Sequence, residues 1–551
     1  MLNPTLNRKT EKNFEITENA KKLFQVIYNE QNKNEDDENE PKLKVSVLIS
    51  KMAFYYEKIR NSVDYKEEYL LRKNAILRIL RRQIVLEGMV KETSSNEISK
   101  NLLVELIRAG YLKNNNVPEY KIDEIGKIVN KYIKLRNYSL VAFQKTENFK
   151  TKRELVNWIL FIAASEIEEK LGRNKITQVE INEIYEILSS AIKLPEDSPF
   201  EADREIQIFV SIHRNLLKFD SDMIGFILFK YYNADWTDPS DEKIKKIGEN
   251  IEILRQAINR QLAHPLAGQL NKIVNRYTVY FSILSEVIEE NPVLVYNSFK
   301  DDPKAFPRNI KKICNRRYGQ AKSKLWRAAV RSIIYIFLTK SIFAIAIEIP
   351  ATKFFGDALN MTALAINVSF PALLLFLIVL FTKLPSEKNT EDIIAGINNI
   401  AFEGHKNEEI RLRQAAKRNK FLNSVFGSLY SVTFLFSVGF IIWALDKIGF
   451  NFVSITIFLF FLAFVSFFAI RIRKNAHELI IVESRENIFT FLTDFFYIPI
   501  VAFGKWLSEK FSRINLFVFI LDFIIESPFK IFVDIAEEWT KYIRERKEDI
   551  V

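Results

Sequence analysis

The chain has 551 residues, 48% hydrophobic and 27% charged, with a formal net charge of +11. That length allows two or more folding units, each with a real core. A single cysteine, Cys314, excludes an intrachain disulfide and a thiolate zinc cluster. It could be a reactive thiol or a palmitoylation site, but a small filler residue is the plainer reading.

The averages hide two halves. Roughly the first 300 residues are charged and carry no long apolar run, and roughly the last 220 hold nearly all such runs. Excess base suits nucleic acid or an anionic membrane surface, and here it crowds against the first apolar segment, which favours the membrane. Met1 to Glu15 is polar with no signal-peptide core, so the first span is expected to direct insertion.

In chain order, the spacing predicts helices over Asn13–Gln31, Lys44–Glu67 and Tyr69–Gly88, with an acidic, Asn-rich linker from Asn32 to Pro41. Ser94 and Glu97 have the spacing of a capping box ahead of Ile98, Leu102, Leu106 and Ile107, and Gly110 is a left-handed stop. Pro118 restarts the chain before Ile122, Ile125, Val129 and Ile133. Arg153–Leu171 follows, and Thr177 with Glu180 offers a second box. Asp203–Tyr232 reads as one long or one broken helix, and Ser240–Ala263 and Pro265–Glu290 as a pair. The period is 3.6 throughout, which predicts an all-α domain.

A bilayer crossing needs about 20 mostly apolar residues. Val330–Ile349, Ala363–Thr382, Ser424–Leu445 and Phe452–Ile470 meet that length as two hairpins. Lys and Arg near span ends stay cytoplasmic. Ten bases and no acids lie from Lys304 to Arg331: Lys304, Arg308, Lys311, Lys312, Arg316, Arg317, Lys322, Lys324, Arg327 and Arg331. Arg411, Arg413, Lys417, Arg418 and Lys420 precede span three, and Arg471, Arg473 and Lys474 follow span four. The two short outer loops hold only Lys353 and Lys447 as bases. Both chain ends are therefore expected in the cytoplasm.

Of these bases, Lys311, Lys312, Arg316, Arg317, Lys322, Lys324 and Arg327 are the candidate contacts to anionic headgroups, which attract such residues by roughly 1 kcal/mol each. Nucleic acid is the rival partner. Trp326 and Tyr318 suit an interfacial belt.

After span four, Ile488–Phe503 and Ile514–Val533 are apolar but interrupted by Asp494, Pro499, Asp522, Glu526 and Pro528. Asn515, Asp522, Glu526, Lys530, Glu537, Lys541 and Arg544 share a helical stripe. Interfacial or re-entrant amphipathic helices fit this pattern, and a third hairpin is the alternative.

The expected organisation is thus a helical cytosolic domain (1–303), a basic juxtamembrane segment (304–331) and a transmembrane hairpin (332–382). A cytosolic loop (383–423), a second hairpin (424–470) and cytosolic or interfacial amphipathic helices with a charged tail (471–551) follow.

Lys340 falls near the middle of span one, with Glu348 on nearly the same face and Asn367 at comparable depth on span two. An ionisable group at that depth marks either an ion or proton path or a structural pair inside the bundle. Ser424, Gly427, Ser428, Ser431, Ser437 and Gly439 read as a packing face, with a pore lining the alternative. His213, His264, His405 and His477 lack ligand spacing, so no metal and no cofactor is expected. No phosphate-cradling loop, nucleophile elbow or kinase signature is present.

RSIIYIFLTK (331–340), PSEKNTE (385–391), NFVSITIFLFFLAFVSFFAIRIR (451–473) and INLFVFILDFIIESPFK (514–530) resemble a family of multi-spanning proteins from small-genome, candidate-phyla bacteria. YYEKIRNSVDYKEEYLLRKNAI (55–76) and ELIRAGYL (105–112) extend the resemblance into the soluble half. The family has no assigned activity. The resemblance implies a bacterial cytoplasmic membrane and a four-span architecture, and carries over no functional residue.

The expected function is a non-enzymatic membrane platform presenting its helical domain to protein or lipid partners, or to a second copy of itself. A transporter or channel subunit working around Lys340 is the alternative, and a membrane-bound enzyme the next.

Overall fold

A computed structural model describes residues 16–32, 40–63, 70–86, 94–142, 149–172, 174–301, 305–356, 360–382, 384–402, 409–413, 420–476, 478–481, 488–513 and 526–548. It is all-α, as the period predicts. Along the chain run α1 (Glu18–Gln31), α2 (Val47–Val63), α3 (Leu71–Arg81), which ends in a π-turn, α4 (Ser95–Arg108), α5 (Lys121–Ala142), α6 (Phe149–Gly172) and α7 (Lys175–Ala191). Next come α8 (Arg204–Leu216), α9 (Ser221–Tyr232), α10 (Asp241–Glu249), α11 (Ile251–Leu262) and α12 (Ala267–Glu290). The strand Ile192–Lys193 pairs in parallel with Ile410–Arg411.

Two compact units emerge, one of them comprising Glu18–Thr278, Lys406–Gln414 and Leu516–Val551. In it, apolar residues three and four apart on α3, α5, α6 and α9 meet in one core around Ile76, Leu80, Ile125, Leu155, Ile159, Phe226 and Trp236. Several polar groups within that core are paired. Lys131 donates to Glu166 Oε1 at 2.7 Å and to the Trp236 carbonyl at 2.8 Å, and Tyr132 donates to Glu166 Oε2 at 2.7 Å. The Trp236 indole donates to the Tyr132 hydroxyl at 3.0 Å. Lys73, 1% exposed, pairs with Asp220 and, at 3.1 Å, with Asp222.

Local signals acted where they are self-contained. Ser94 Oγ accepts from the Glu97 amide at 3.2 Å, and Gly110, φ +80°, ends the following helix. Others were displaced. The second capping box does not form at Thr177, because Asn174 lies earlier and accepts from the Ile176 amide at 2.9 Å, so the helix starts ahead of Thr177. The Asp203–Tyr232 segment is broken, with Lys218 at φ +54° and Asp220 capping the second piece. Ser240–Ala263 is divided at Asn250.

The other unit comprises Met1–Thr17, Val279–His405 and Ala415–Asn515. Its helices beyond α12 are α13 (Pro292–Asp301), α14 (Ala305–Phe343), α15 (Ile349–Phe354), α16 (Met361–Leu380), α17 (Glu387–Ala401), α18 (Lys420–Lys447), α19 (Phe452–Ala476) and α20 (Ile488–Arg513). Four helical stretches are long and apolar enough to cross a membrane: Ala305–Phe354, Met361–Leu380, Ser424–Lys447 and Phe452–Arg473. They coincide with the four predicted spans. The first belongs to a continuous 50-residue helix that includes the whole described basic segment. Lys304 lies outside the described residues.

α20 is lodged against the central residues of α18 and α19. Gly504 sits on the Ala463 carbonyl and the Phe467 side chain, where a Cβ has no room. Tyr497 donates to the Ser466 carbonyl at 3.3 Å, and Ser437 donates to the Phe496 carbonyl at 3.3 Å. Its apolar stretch, Phe495–Ser508, is shorter than a bilayer crossing. The Asp494 side chain and residues 514–525, including Asp522, lie outside the described set. The last helix, α21 (Glu526–Glu548), exposes Ile531, Ile535, Trp539, Tyr542 and Ile543.

Candidate functional site

Lys340, Glu348 and Asn367 converge. All three are buried, at 0%, 1% and 0% exposure. The backbone explains how Lys340 and Glu348 come to share a face. Eight residues of regular helix rotate about 80° away from alignment, at 3.6 residues per turn. Between α14 and α15, however, Ala344–Glu348 is a π-turn. Absorbing one extra residue closes the offset to roughly 20°. Pro350, at the start of α15, supplies the cause. It has no N–H for the Ala346 carbonyl, and its ring crowds that position, so the helix continues by widening.

Asn367 on α16 donates from Nδ2 to Glu348 Oε1 at 2.5 Å and to the Ser454 carbonyl at 3.2 Å. Two acceptors facing Nδ2 fix which way the amide points. Ser454 on α19 donates from Oγ to the same Glu348 oxygen at 2.8 Å. Asn451 caps α19 by accepting from the Ser454 amide at 2.8 Å, and its own amide reaches Thr352 Oγ1 at 3.3 Å. Asn360 caps α16, accepting from Thr362 and Ala363, and donates to the Gly449 carbonyl at 3.2 Å. Gly449, at φ +84°, makes the reversal between α18 and α19, and a Cβ there would press on the Asn360 amide.

Glu348, Thr352, Asn360, Asn451 and Ser454 border a cleft of about 10 Å³, room for one water. Three atoms in this cluster have no hydrogen-bond partner among the described residues: Glu348 Oε2, Asn367 Oδ1 and Lys340 Nζ. The Lys340 ammonium lies 4.1 Å from the centroid of the Phe461 ring, a cation–π contact. Towards the basic half of α14, a tight apolar cluster of Leu325, Ala329, Leu375, Val379, Val465 and Ala469 closes the bundle.

The basic segment divides in two. Lys311 pairs with Glu387 at 2.9 Å, Lys312 with Glu290 at 3.3 Å, and Arg316 with Glu286 and Glu290 at 2.5 and 2.7 Å. Arg317 pairs with Glu286 and donates to the Ser282 carbonyl at 2.9 Å. These four fasten α14 to α12 and α17. Lys322, Lys324, Arg327 and Arg331 are exposed and form no ion pair among the described residues; Arg327 donates to Ser323 and Arg331 to the Arg327 carbonyl. Tyr318, proposed for the interfacial belt, spends its hydroxyl on Asn389 and Thr390.

The small-residue face of α18 is largely unpacked. Ser424, Gly427, Ser428, Ser431 and Gly439 are exposed, and only Thr433 and Ser437 are buried against neighbours. Cys314 is fully buried, which suits a filler role. His213 and His264 serve the helical unit's core, while His405 and His477 lie outside the described residues. No group of three or more His, Cys, Asp or Glu arranged for a metal occurs among the described residues.

Sequence reading missed Thr352, Asn360, Asn451 and Ser454. The signal was there for two of them, since an Asn ahead of an apolar run, at 360 and 451, is an N-cap pattern. No protein-family profile, curated protein or solved structure matches this chain.

Proposed function

We propose that this protein is a multi-pass platform of a bacterial cytoplasmic membrane, with its N- and C-terminal segments on the cytoplasmic side, presenting a helical domain to protein or lipid partners. The observation that carries this reading is the exposed set Lys322, Lys324, Arg327 and Arg331 at the threshold of the first span, without carboxylate partners among the described residues. Cations so placed are available to anionic headgroups, whereas Lys311 to Arg317 are engaged by glutamates. The helical unit, with its own core, is far larger than an anchor requires.

The test replaces Lys322, Lys324, Arg327 and Arg331 with Gln and measures the lipids that co-purify from native membranes. The expected result is loss of anionic lipid with zwitterionic lipid unchanged; equal anionic enrichment in both proteins counts against the proposal. Cross-linked pull-down of a reproducible protein partner, or of a second copy, supports the platform. Reporter fusions that place the 350–361 or 446–451 loop in the cytoplasm would reverse the orientation.

A further inference from the structure

The polar cluster of α15, α16 and α19 is unevenly satisfied. Its donors are used: both contacts of Asn367 Nδ2 go to Glu348 and the Ser454 carbonyl, and Ser454 Oγ goes to Glu348. The Thr362 and Ala363 amides of α16 are taken by Asn360, and the Ser454 amide of α19 by Asn451. What remains open are two oxygens, Glu348 Oε2 and Asn367 Oδ1, on side chains bonded to each other and almost wholly buried. Of these two residues Glu348 borders the cleft, together with the hydroxyl-bearing Thr352 and Ser454.

Leaving buried acceptors without partners is costly, so such a site favours a guest that satisfies oxygens and asks for none in return. A cation does this. One carboxylate balances one positive charge, and about 10 Å³ admits a bare ion but no organic molecule. The built-in cation does not fill the role, because the Lys340 ammonium lies on the face of Phe461 and makes no hydrogen bond to Glu348. Asn360, Gly449 and Asn451 border the cleft where α18 reverses into α19.

We propose that Glu348, Thr352 and Ser454, with Asn367 holding the Glu348 carboxylate in place, form a binding site for one small monovalent alkali cation, of the size of sodium, beneath the 447–451 loop. Lys340 sets its affinity by repulsion. The site goes beyond the platform reading and does not depend on it.

The experiment uses the full chain in detergent micelles with radioactive sodium as the probe, at fixed pH with choline as the inert cation. The expected result is saturable binding near one ion per chain, displaced by lithium. Glu348→Gln, which removes the charged ligand, weakens it roughly tenfold or more, and Asn367→Leu weakens it also. Lys340→Met tightens it by relieving like charge. Absence of saturable sodium binding by the unaltered chain overturns the proposal, and so leaves the cleft to a water molecule. Unchanged binding in well-folded Glu348→Gln and Asn367→Leu proteins overturns it equally. Because the unaltered protein decides the first point, a variant that fails to fold does not shield the idea.

Discussion

His213 gives the helical unit an acid sensitivity whose size follows from its surroundings. It is 5% exposed on α8, with its ring 4.4 Å from that of Phe209 and 6.0 Å from that of Phe219. Burial pushes its pKa down from 6.5 to about 4, and the Phe209 carbonyl, 2.9 Å from Nδ1, offsets only part of this. The folded state therefore holds the neutral ring, while the unfolded chain takes up a proton near pH 6.5. Stability is fully present above that pH, falls as pH drops toward 4, and is flat below. A shift of that size corresponds to about 3 kcal/mol. Native-state hydrogen exchange of the α8 amides, corrected for intrinsic rates and read on the full chain in micelles, measures it. The opening free energy should fall by that amount between pH 6.5 and 4 in the unaltered protein, and by much less in His213→Gln. Parallel pH dependence in the two proteins would refute the reasoning.

Other expectations follow from single contacts. Lys73→Met leaves Asp220 and Asp222 facing each other without their cation, and should destabilise the helical unit by about 3 kcal/mol in urea unfolding followed by circular dichroism. A loss below about 1 kcal/mol would mean that solvent already screens the two acids. Gly504→Ala drives a methyl into the Ala463 carbonyl and should displace α20 from α19 at a cost of about 1–3 kcal/mol. Faster hydrogen exchange of the α20 amides reports this, and unchanged exchange contradicts the packing. Ser94→Ala removes the cap of α4 and should cost about 1 kcal/mol, read by local hydrogen exchange at Glu97 and Ile98.

What was legible in the chain is what neighbours along it decide. The cap at Ser94, the stop at Gly110 and the four apolar stretches depend on spacing within a few turns, and they appear where the pattern puts them. Lys340, Glu348 and Asn367 were readable because ionisable and amide groups are conspicuous in apolar runs. Their partners were not. Ser454 and Thr352 are ordinary in composition and gain significance only because α15, α16 and α19 meet at Glu348. The pairing of Lys311, Lys312, Arg316 and Arg317 was hidden for the same reason, since Glu286, Glu290 and Glu387 are distant in sequence. The small residues of span three show the converse. Their spacing suggested a buried face, yet Ser424, Gly427, Ser428, Ser431 and Gly439 are exposed, and α18 packs through Thr433, Ser437, Leu445 and the rings of Phe434 and Phe436.

The unbroken helix from Ala305 to Phe354 has a mechanical consequence. At 1.5 Å per residue its 50 residues extend for about 75 Å, against a hydrocarbon thickness of about 30 Å. A crossing by its apolar part would leave roughly 45 Å of the rod past the apolar layer. Spans tilt to match the thickness of the lipid around them, and a change of about 10° would swing the projecting tip by roughly 8 Å. With its apolar part in a bilayer, the helix would act as a lever, carrying a small change in thickness to the end that Glu286, Glu290 and Glu387 hold by ion pairs.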